Sequence, residues 1–495
     1  MTIPETIQKV LETADATVEK TLKDYNLPGL GVGIVYQGQL IYAKGVGQAD
    51  VARNIPVTPD TVFRIASVSK TFAAVGLMQL WEQGKFDLHA PINDYLRDFK
   101  VKHRNPNAPL ITFHHLLTHT AGLGEFVPLY KYFSPTAHFN VVRPNKPVPP
   151  LKHLYGRTLP AECLPGEKWC YANNGFATVG QLVADISGQP FPDYIRQHIY
   201  QPLDMKQSEF WRSDRVRGAL AIGYNYKAKQ QTFKPVIDLE QVTTAAGAMY
   251  STVNDMGRYM AALMQSDALL KPETLELMYT PQYRLDERLQ GMGYCFKIDD
   301  FGGHRVVSHD GLWLGFISSM FVAPDDELGV VALTNTANSI AIGLASSLMR
   351  RLLGEGRKLK SRPDPDSVPD TPKNWPSLQG FYGPKPGFNS NFRLWTSYGG
   401  ELEVYQEEND LKVRSLRGSW KEGKTLVPAD KDDPLSFRAR GREVIFTQDG
   451  RLLMGLNEFG KRPYNQSIRR RLKLLLIGAG ILLVLLLILL LVLLL

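Results

Sequence analysis

Apolar residues recur at helical spacing near the N-terminus: Ile7, Val10, Leu11, Ala14, Val18 and Leu22. That period predicts an amphipathic helix. The pattern then changes. Leu30–Tyr36 and Gln39–Gly45 are short apolar-rich runs joined at Gln37-Gly38, which predicts a β-hairpin. A helix is expected to start near Ser67 and to run to about Gln83, with Phe72, Val75, Met78, Leu80 and Trp81 mostly on one side. Gly175 to about Ile186 predicts another. Arg305–Ser308, Phe316–Phe321 and Gly329–Thr334 read as strands. The last two are near-continuous apolar runs, as in a sheet covered on one or both faces. Ser339–Leu353 predicts a helix after them. Residues 124–165 are rich in proline and aromatic side chains and read as irregular, a stretch able to line or cover a pocket.

Further along, Pro363, Pro365, Pro369, Pro372 and Pro376 stand among charged residues between Arg357 and Pro376. This predicts a semi-extended linker. Residues 377–466 carry short alternating runs such as Leu402-Glu403-Val404-Tyr405 and Val444-Ile445-Phe446, separated by turns such as Asp449-Gly450. They predict a small antiparallel, barrel-like β domain. From Leu474 to Leu495 the chain has 22 residues and no polar side chain. At about 1.5 Å per residue such a run spans a bilayer core. The predicted division is therefore 1–356 as the main domain, 357–376 as linker, 377–466 as β domain and 472–495 as a transmembrane helix.

Charge sharpens this division. The chain of 495 residues has a formal net charge of +8. Residues 1–350 hold 33 basic and 33 acidic side chains, so the whole excess lies beyond them. A nucleic-acid binder would not leave its larger part neutral, and the excess points to the C-terminal end. There Lys461, Arg462, Arg469, Arg470, Arg471 and Lys473 precede the apolar run. Basic residues beside a span stay on the cytoplasmic side and attract anionic lipid. The N-terminus has no apolar h-region and carries acidic residues from Glu5 on, unlike a signal peptide. The expected location is thus a single-pass membrane anchor with the main domain on the cytoplasmic face. Three cysteines in this length cannot form a disulfide framework.

Three short patterns carry candidate chemistry. Ser67-Val68-Ser69-Lys70 sets a hydroxyl and an amine three residues apart at a helix start, on one face. A desolvated lysine can take the serine proton, and the helix N-terminus favours a developing anion. About one such SxxK match is expected by chance in a chain of this size. Tyr171-Ala172-Asn173 offers a phenol that can relay protons and an amide that can hold both the lysine and a substrate carbonyl. His309-Asp310-Gly311 sits after one expected strand and before another, where glycine lets a substrate approach the backbone. The N–H of Leu312 could join that of Ser67 as an oxyanion donor. His115 and His119 have the spacing of a zinc pair on a helix, but Leu116-Leu117 stand where a zinc protease has glutamate. No metal or other cofactor is expected. Cys170 reads as a small buried residue.

The landmarks occur in a fixed order: Phe63 to Phe72 around Ser67 and Lys70, Leu116-Leu117-Thr118-His119-Thr120-Ala121-Gly122-Leu123, Pro165 to Asn173, Ala246 to Thr252, and His309-Asp310-Gly311. This order resembles the serine β-lactamase-related family of class C β-lactamases, D,D-peptidases, D-aminopeptidases and related esterases, over about residues 20–353. The resemblance implies an α/β fold, an antiparallel sheet flanked by helices with a helical region beside it. It also implies an acyl-enzyme mechanism. By position it makes Ser67 the nucleophile, Lys70 its proton-transfer partner, Tyr171 the general base and acid, and Asn173 the group that orients Lys70 and substrate. His309 takes the place of the lysine or histidine in the third motif.

Asp310 departs from the family's usual Thr or Ser. A carboxylate there is expected to repel an anionic substrate end, which favours a neutral or amine-bearing substrate: an ester, a lactone or the free N-terminus of a small peptide; the expected substrate class is a small-molecule ester, amide or short peptide. The leading expectation is a membrane-anchored serine hydrolase. A catalytically silent, membrane-tethered scaffold is the alternative from another class, and the complete Ser67, Lys70, Tyr171, Asn173 set speaks against it. A D,D-peptidase or β-lactamase of the cell-wall space is a third, opposed by the expected cytoplasmic location.

Overall fold

The computed structural model describes residues 3–125, 127, 140–144, 146–265, 267–355, 375–387, 389–430 and 432–475. They form two compact units, Met1–Arg284 with Gln290–Lys358, and Leu285–Leu289 with Leu359–Leu495.

The first unit is built on one sheet. Helix α1 (Glu5–Asp24) buries Ile7, Val10, Ala14 and Val18, the face that the sequence period marks. Strands β1 (Gly29–Tyr36) and β2 (Gln39–Asp50) form the expected hairpin. Gln37 and Gly38 both have positive φ, +47° and +72°, as a two-residue turn between twisted strands requires. The sheet order is β6-β7-β8-β9-β10-β1-β2-β3, with β3 at Ile55–Pro56, β6 at Gly291–Met292, β7 at Lys297–Phe301, β8 at His304–Trp313, β9 at Phe316–Ala323 and β10 at Leu328–Thr334. Every pairing in it is antiparallel. A separate short pair joins β4 (Phe63–Arg64) to β5 (Tyr250–Ser251).

Both faces of this sheet are covered. On one, Leu30, Val32 and Ile34 pack with α1 and with the helix that spans Ile340–Leu352. On the other lies the larger core, which includes helix α2 (Ser69–Glu82) and helix α4 (Asn173–Ser187). Double coverage explains why β9 and β10 are buried throughout and read as unbroken apolar runs. α2 is apolar on nearly all sides for the same reason, and eleven of its fourteen residues are buried.

One element differs from its expectation. The strand expected to end at Ser308 runs on to Trp313, so His309-Asp310-Gly311 lies inside β8 and not in a connection. Pairing with β7 stops at Ser308, whereas pairing with β9 continues to Trp313. The second half of β8 therefore has one bare edge, and its polar residues hid it from a reading of hydrophobic alternation. Of residues 124–165, the stretch's aromatic centre lies outside the described residues. The rest supplies Val141–Val142 paired with Glu240–Gln241, a short helix (Leu151–Tyr155), and a strand (Thr158–Ala161) parallel to Lys100–His103.

The second unit is a nine-stranded antiparallel sheet. Its edge strands are Lys424–Thr425 and Val427–Pro428, with Leu426 alone between them. One residue of chain cannot separate two edges by more than about 8 Å, so the sheet curls until its edges meet. Leu402, Val404, Leu411, Val413, Phe437, Phe446, Leu452 and Phe459 fill its interior. A helix at Phe392–Tyr398 was not expected from the sequence. Among the described residues no helix is long and apolar enough to cross a membrane. The expected linker, apart from Trp375 and Pro376, which begin a short helix (Trp375–Leu378), and nearly all of the expected span at 472–495 lie outside the described residues.

Candidate active site

Three chain segments converge on Lys70. Ser67 lies in a single 3₁₀ turn, Ala66–Val68, that leads into α2, and Lys70 is in the first turn of α2. Ala66 has φ +46°, a left-handed conformation that costs a residue with a Cβ of order 1–3 kcal/mol. Ser69 holds the turn in place: its Oγ donates to Ala66 O at 2.5 Å and accepts from Met249 N at 3.1 Å. Lys70 is fully buried. Its Nζ donates to Ser67 Oγ at 3.1 Å, to Asn173 Oδ1 at 2.8 Å and to Ala246 O at 2.5 Å. The Tyr171 ring centroid is 4.9 Å from the same nitrogen. Ser67, Lys70, Tyr171 and Asn173 are thus brought together from positions up to 106 residues apart in the sequence.

β8 supplies the opposite wall. A Cβ added at Gly311 would collide with Ile65 O and Ser318 Oγ and come within 3.0 Å of Ser67 N. Glycine is required there because β8 runs directly against the turn that holds Ser67. Trp313 pairs with Phe316 across the two-residue turn Leu314-Gly315. That pairing aims the N–H groups of Gly311 and Trp313 at β9 and the N–H of Leu312 at the bare edge. The N–H of Leu312 is therefore on the unpaired edge of β8. His309 is buried, and its Nδ1 lies 2.9 Å from Asp310 O. Burial, reinforced by the charge of Lys70, pushes the imidazole far below its ordinary range and keeps it neutral.

Asp310 is the correction. Adjacent residues of a strand point to opposite faces. Ser318 donates to Ile65 O at 2.6 Å, on the face of Ser67, while its neighbour Ser319 donates to Asp310 Oδ1 at 2.6 Å. The Asp310 carboxylate is therefore on the far side of the sheet from Ser67. There it also accepts from Lys297 Nζ at 3.0 Å. Burial acts to raise its pKa, and Lys297 and Ser319 outweigh burial to hold it below the ordinary carboxylate value. It does not face a substrate, so the expected repulsion of an anionic substrate end has no structural basis.

His115 and His119 do not form a metal pair. Helix α3 (Phe113–Leu117) ends before His119, and the His115 ring is engaged in a capping box with Thr112. His119 instead stacks on Tyr171, with ring centroids 4.3 Å apart. Its carbonyl accepts from Cys170 N at 2.7 Å, and its Nδ1 accepts from Ala172 N at 3.3 Å. Cys170 is buried and its thiol is pushed up to about 12 by that burial. Glu125 is a further member of the site: its Oε1 accepts from Asn173 Nδ2 at 2.7 Å, which leaves the Asn173 oxygen aimed at Lys70. Nothing in the sequence near Glu125 marks it. His119 and Ala246 do lie in the ordered landmarks, where they had no assigned role.

The family model described as Beta-lactamase matches residues 14–347. PbpX of Bacillus subtilis (strain 168) is 25% identical over 350 residues, which cover 70% of this chain and 81% of that protein. Esterase EstB of Burkholderia gladioli is 26% identical over 359 residues, covering 65% of this chain and 90% of the esterase. Among solved structures, the octameric penicillin-binding protein homologue from Pyrococcus abyssi shares the fold, with a TM-score of 0.62 at 22% identity over 91% of this chain and 99% of that one.

Proposed function

The chain belongs to the Beta-lactamase family, a fold family of serine hydrolases, and we propose that it cleaves an ester or amide bond through an acyl-enzyme at Ser67. The observation that carries this reading is the position of Lys70 Nζ, 3.1 Å from Ser67 Oγ and 2.8 Å from Asn173 Oδ1 in a buried site. In this reading Ser67 Oγ attacks the substrate carbonyl carbon, and its proton passes through Lys70 to Tyr171. The oxyanion is held by the N–H groups of Ser67 and Leu312. The proton is handed by way of Tyr171 to the departing alcohol or amine, and water then repeats the sequence to release the acid. Asn173, fixed by Glu125, holds Lys70 in register.

Because Asp310 is turned away and paired with Lys297, substrates with a carboxylate are not set aside on grounds of charge. The substrate class is an ester, an amide or a short peptide, lactams included. The apolar run from Leu474 and the basic residues before it support a membrane address for the enzyme, with the basic flank on the cytoplasmic side.

Hydrolysis of 4-nitrophenyl pentanoate by the wild type and by Ser67→Ala and Lys70→Ala proteins tests the chemistry. Turnover that persists in Ser67→Ala would refute it. Alkaline carbonate extraction of membranes from expressing cells tests the anchor, which requires the full chain to stay in the pellet.

A further inference from the structure

The second unit grips the start of a helix that spans residues 468–475. The first N–H groups of a helix have no partner inside it and need one from outside. Glu401 is buried and precedes the strand Leu402–Glu407; its carboxylate accepts from Ile468 N at 2.6 Å and from Arg469 N at 3.1 Å. Ser467, also buried, accepts from Arg470 N at 3.1 Å as an N-cap. The helix dipole favours a carboxylate at this end. The Arg469 side chain folds back onto the β domain, where its guanidinium meets Glu403 at 2.8 Å and Ser415 O at 3.0 Å. The first turn is thus fastened to the sheet, and the direction in which the chain leaves is fixed with it.

Beyond that turn the surface changes. Arg471, Leu472, Lys473, Leu474 and Leu475 are all exposed. The Arg470 guanidinium carbon is 5.4 Å from the ring centroid of exposed Tyr464, which in turn lies 5.6 Å from the Phe381 ring. Among the described residues of the second unit, the exposed large hydrophobic side chains are Tyr464, Leu472, Leu474 and Leu475, all gathered at this helix start. Among the described residues, Arg470, Arg471 and Lys473 have no carboxylate partner, because Glu401 is taken up by the helix start and Glu403 by Arg414 and Arg469. Unpaired cations, a tyrosine and exposed leucines in one layer match the headgroup region of a bilayer that carries anionic lipid. The residues that follow, Leu476 to Leu495, have no polar side chain. We propose that this face of the β domain lies in the headgroup layer of an anionic membrane, and that the Glu401 clamp holds the domain down on the bilayer instead of leaving it on a loose tether. This inference rests on the membrane address proposed above.

The test uses the full chain in vesicles of phosphatidylcholine and phosphatidylserine, with a nitroxide on some of the headgroups. A fluorophore is attached at Asn465→Cys, beside Tyr464, or at Asn409→Cys, in the turn at the far end of the strand that follows Glu401; both positions are exposed. The six residues of that strand put Asn409 about 20 Å from the clamp. The native cysteines Cys163, Cys170 and Cys295 are buried and stay unlabelled. The label at Asn465 is expected to be quenched several-fold more than the label at Asn409. Reversing two charges together, Arg470→Glu with Arg471→Glu, spares the contacts of Glu401 and should halve the quenching at Asn465 or lower it further. Glu401→Ala should do the same by freeing the helix start, and a thermal melt shows whether that variant keeps its fold; if it does not, the charge reversal decides. Quenching at Asn465 that survives in a folded Glu401→Ala protein overturns the clamp. Two labels quenched alike, in a chain that floats with the vesicles, overturn the docking, leave the membrane address standing and open the basic face to an acidic protein. A full chain that does not float with the vesicles refutes the membrane address, and the proposal with it.

Discussion

His119 grips Tyr171 from both sides of the chain and from above: its carbonyl takes the N–H of Cys170, its ring nitrogen takes the N–H of Ala172, and its ring lies against the phenol with planes 27° apart. The residue holds φ +58° to do this. His119 is therefore a positioning residue for Tyr171. Replacement by alanine is expected to lower kcat by about 10²-fold with little change in KM, the scale of a displaced catalytic group. Glutamine keeps an acceptor near Ala172 N and should recover part of the loss. Steady-state kinetics on an ester substrate, with a thermal melt to confirm folding, decides it. A parallel fall of kcat in both variants, with no recovery in glutamine, would count against the clamp.

Glu125 acts one step further out, through Asn173. Glu125→Gln presents an amide in place of the carboxylate that now accepts from Asn173 Nδ2, and an amide offered nitrogen-first lets Asn173 turn over. The expected loss in acylation rate is about tenfold. Asn173→Ala removes an acceptor from buried Lys70 outright and should cost about 10²-fold or more. Single-turnover acylation measures both.

Gly311→Ala places a methyl against Ile65 O and Ser318 Oγ. One side must move, and both belong to the walls of the site. The variant is expected to remain folded, because only the end of one strand shifts, but to lose acylation by about 10²-fold. Wild-type rates would show that β8 has room that the geometry denies.

Asp310→Asn separates the two readings of that residue. A carboxylate facing the site would make the asparagine variant markedly better on anionic substrates. The geometry calls for an unchanged ratio of benzylpenicillin to neutral-ester reactivity, together with a loss of about 1–3 kcal/mol in stability, since Lys297 is left without its carboxylate. Unfolding in urea gives the second quantity.

The pH dependence of stability has a definite sign. His309 is held neutral in the folded protein, with its pKa pushed far down by burial, whereas in the unfolded chain it titrates near about 6.5. Below that value the unfolded state binds a proton that the native state does not. His309 therefore contributes stability that is fully present above about pH 6.5 and is lost as the pH falls, at up to about 1.4 kcal/mol per unit. His114, lowered to about 4 chiefly by burial, acts in the same direction. A chemical-denaturation series from pH 7 to 5 should fall steadily, and a flat profile would contradict a neutral buried His309.

The main features of this site were legible because they are local. Ser67 and Lys70 are three residues apart where a 3₁₀ turn leads into α2, and Tyr171 and Asn173 flank a helix start, so short-range geometry already groups them. Glu125 was not legible, since it meets Asn173 only through the fold, 48 residues away. Asp310 was misjudged for a related reason. Its face follows from simple alternation with His309 and Gly311, but only once the three are known to lie inside one strand. A strand that leaves an edge bare for a substrate carries polar residues where its neighbours carry valine and isoleucine. The helix at Phe392–Tyr398 was hidden by its own composition, because Phe392, Trp395 and Tyr398 are residues that favour strands.

The central claim is an activated Ser67, and covalent labelling with a fluorophosphonate followed by intact-mass measurement tests it most directly. The geometry requires one adduct on the wild-type protein, none on Ser67→Ala and a much slower adduct on Lys70→Ala. A folded wild-type protein that takes up no label, or an adduct that survives in Ser67→Ala, would contradict the account and point to a binding protein built on a hydrolase fold.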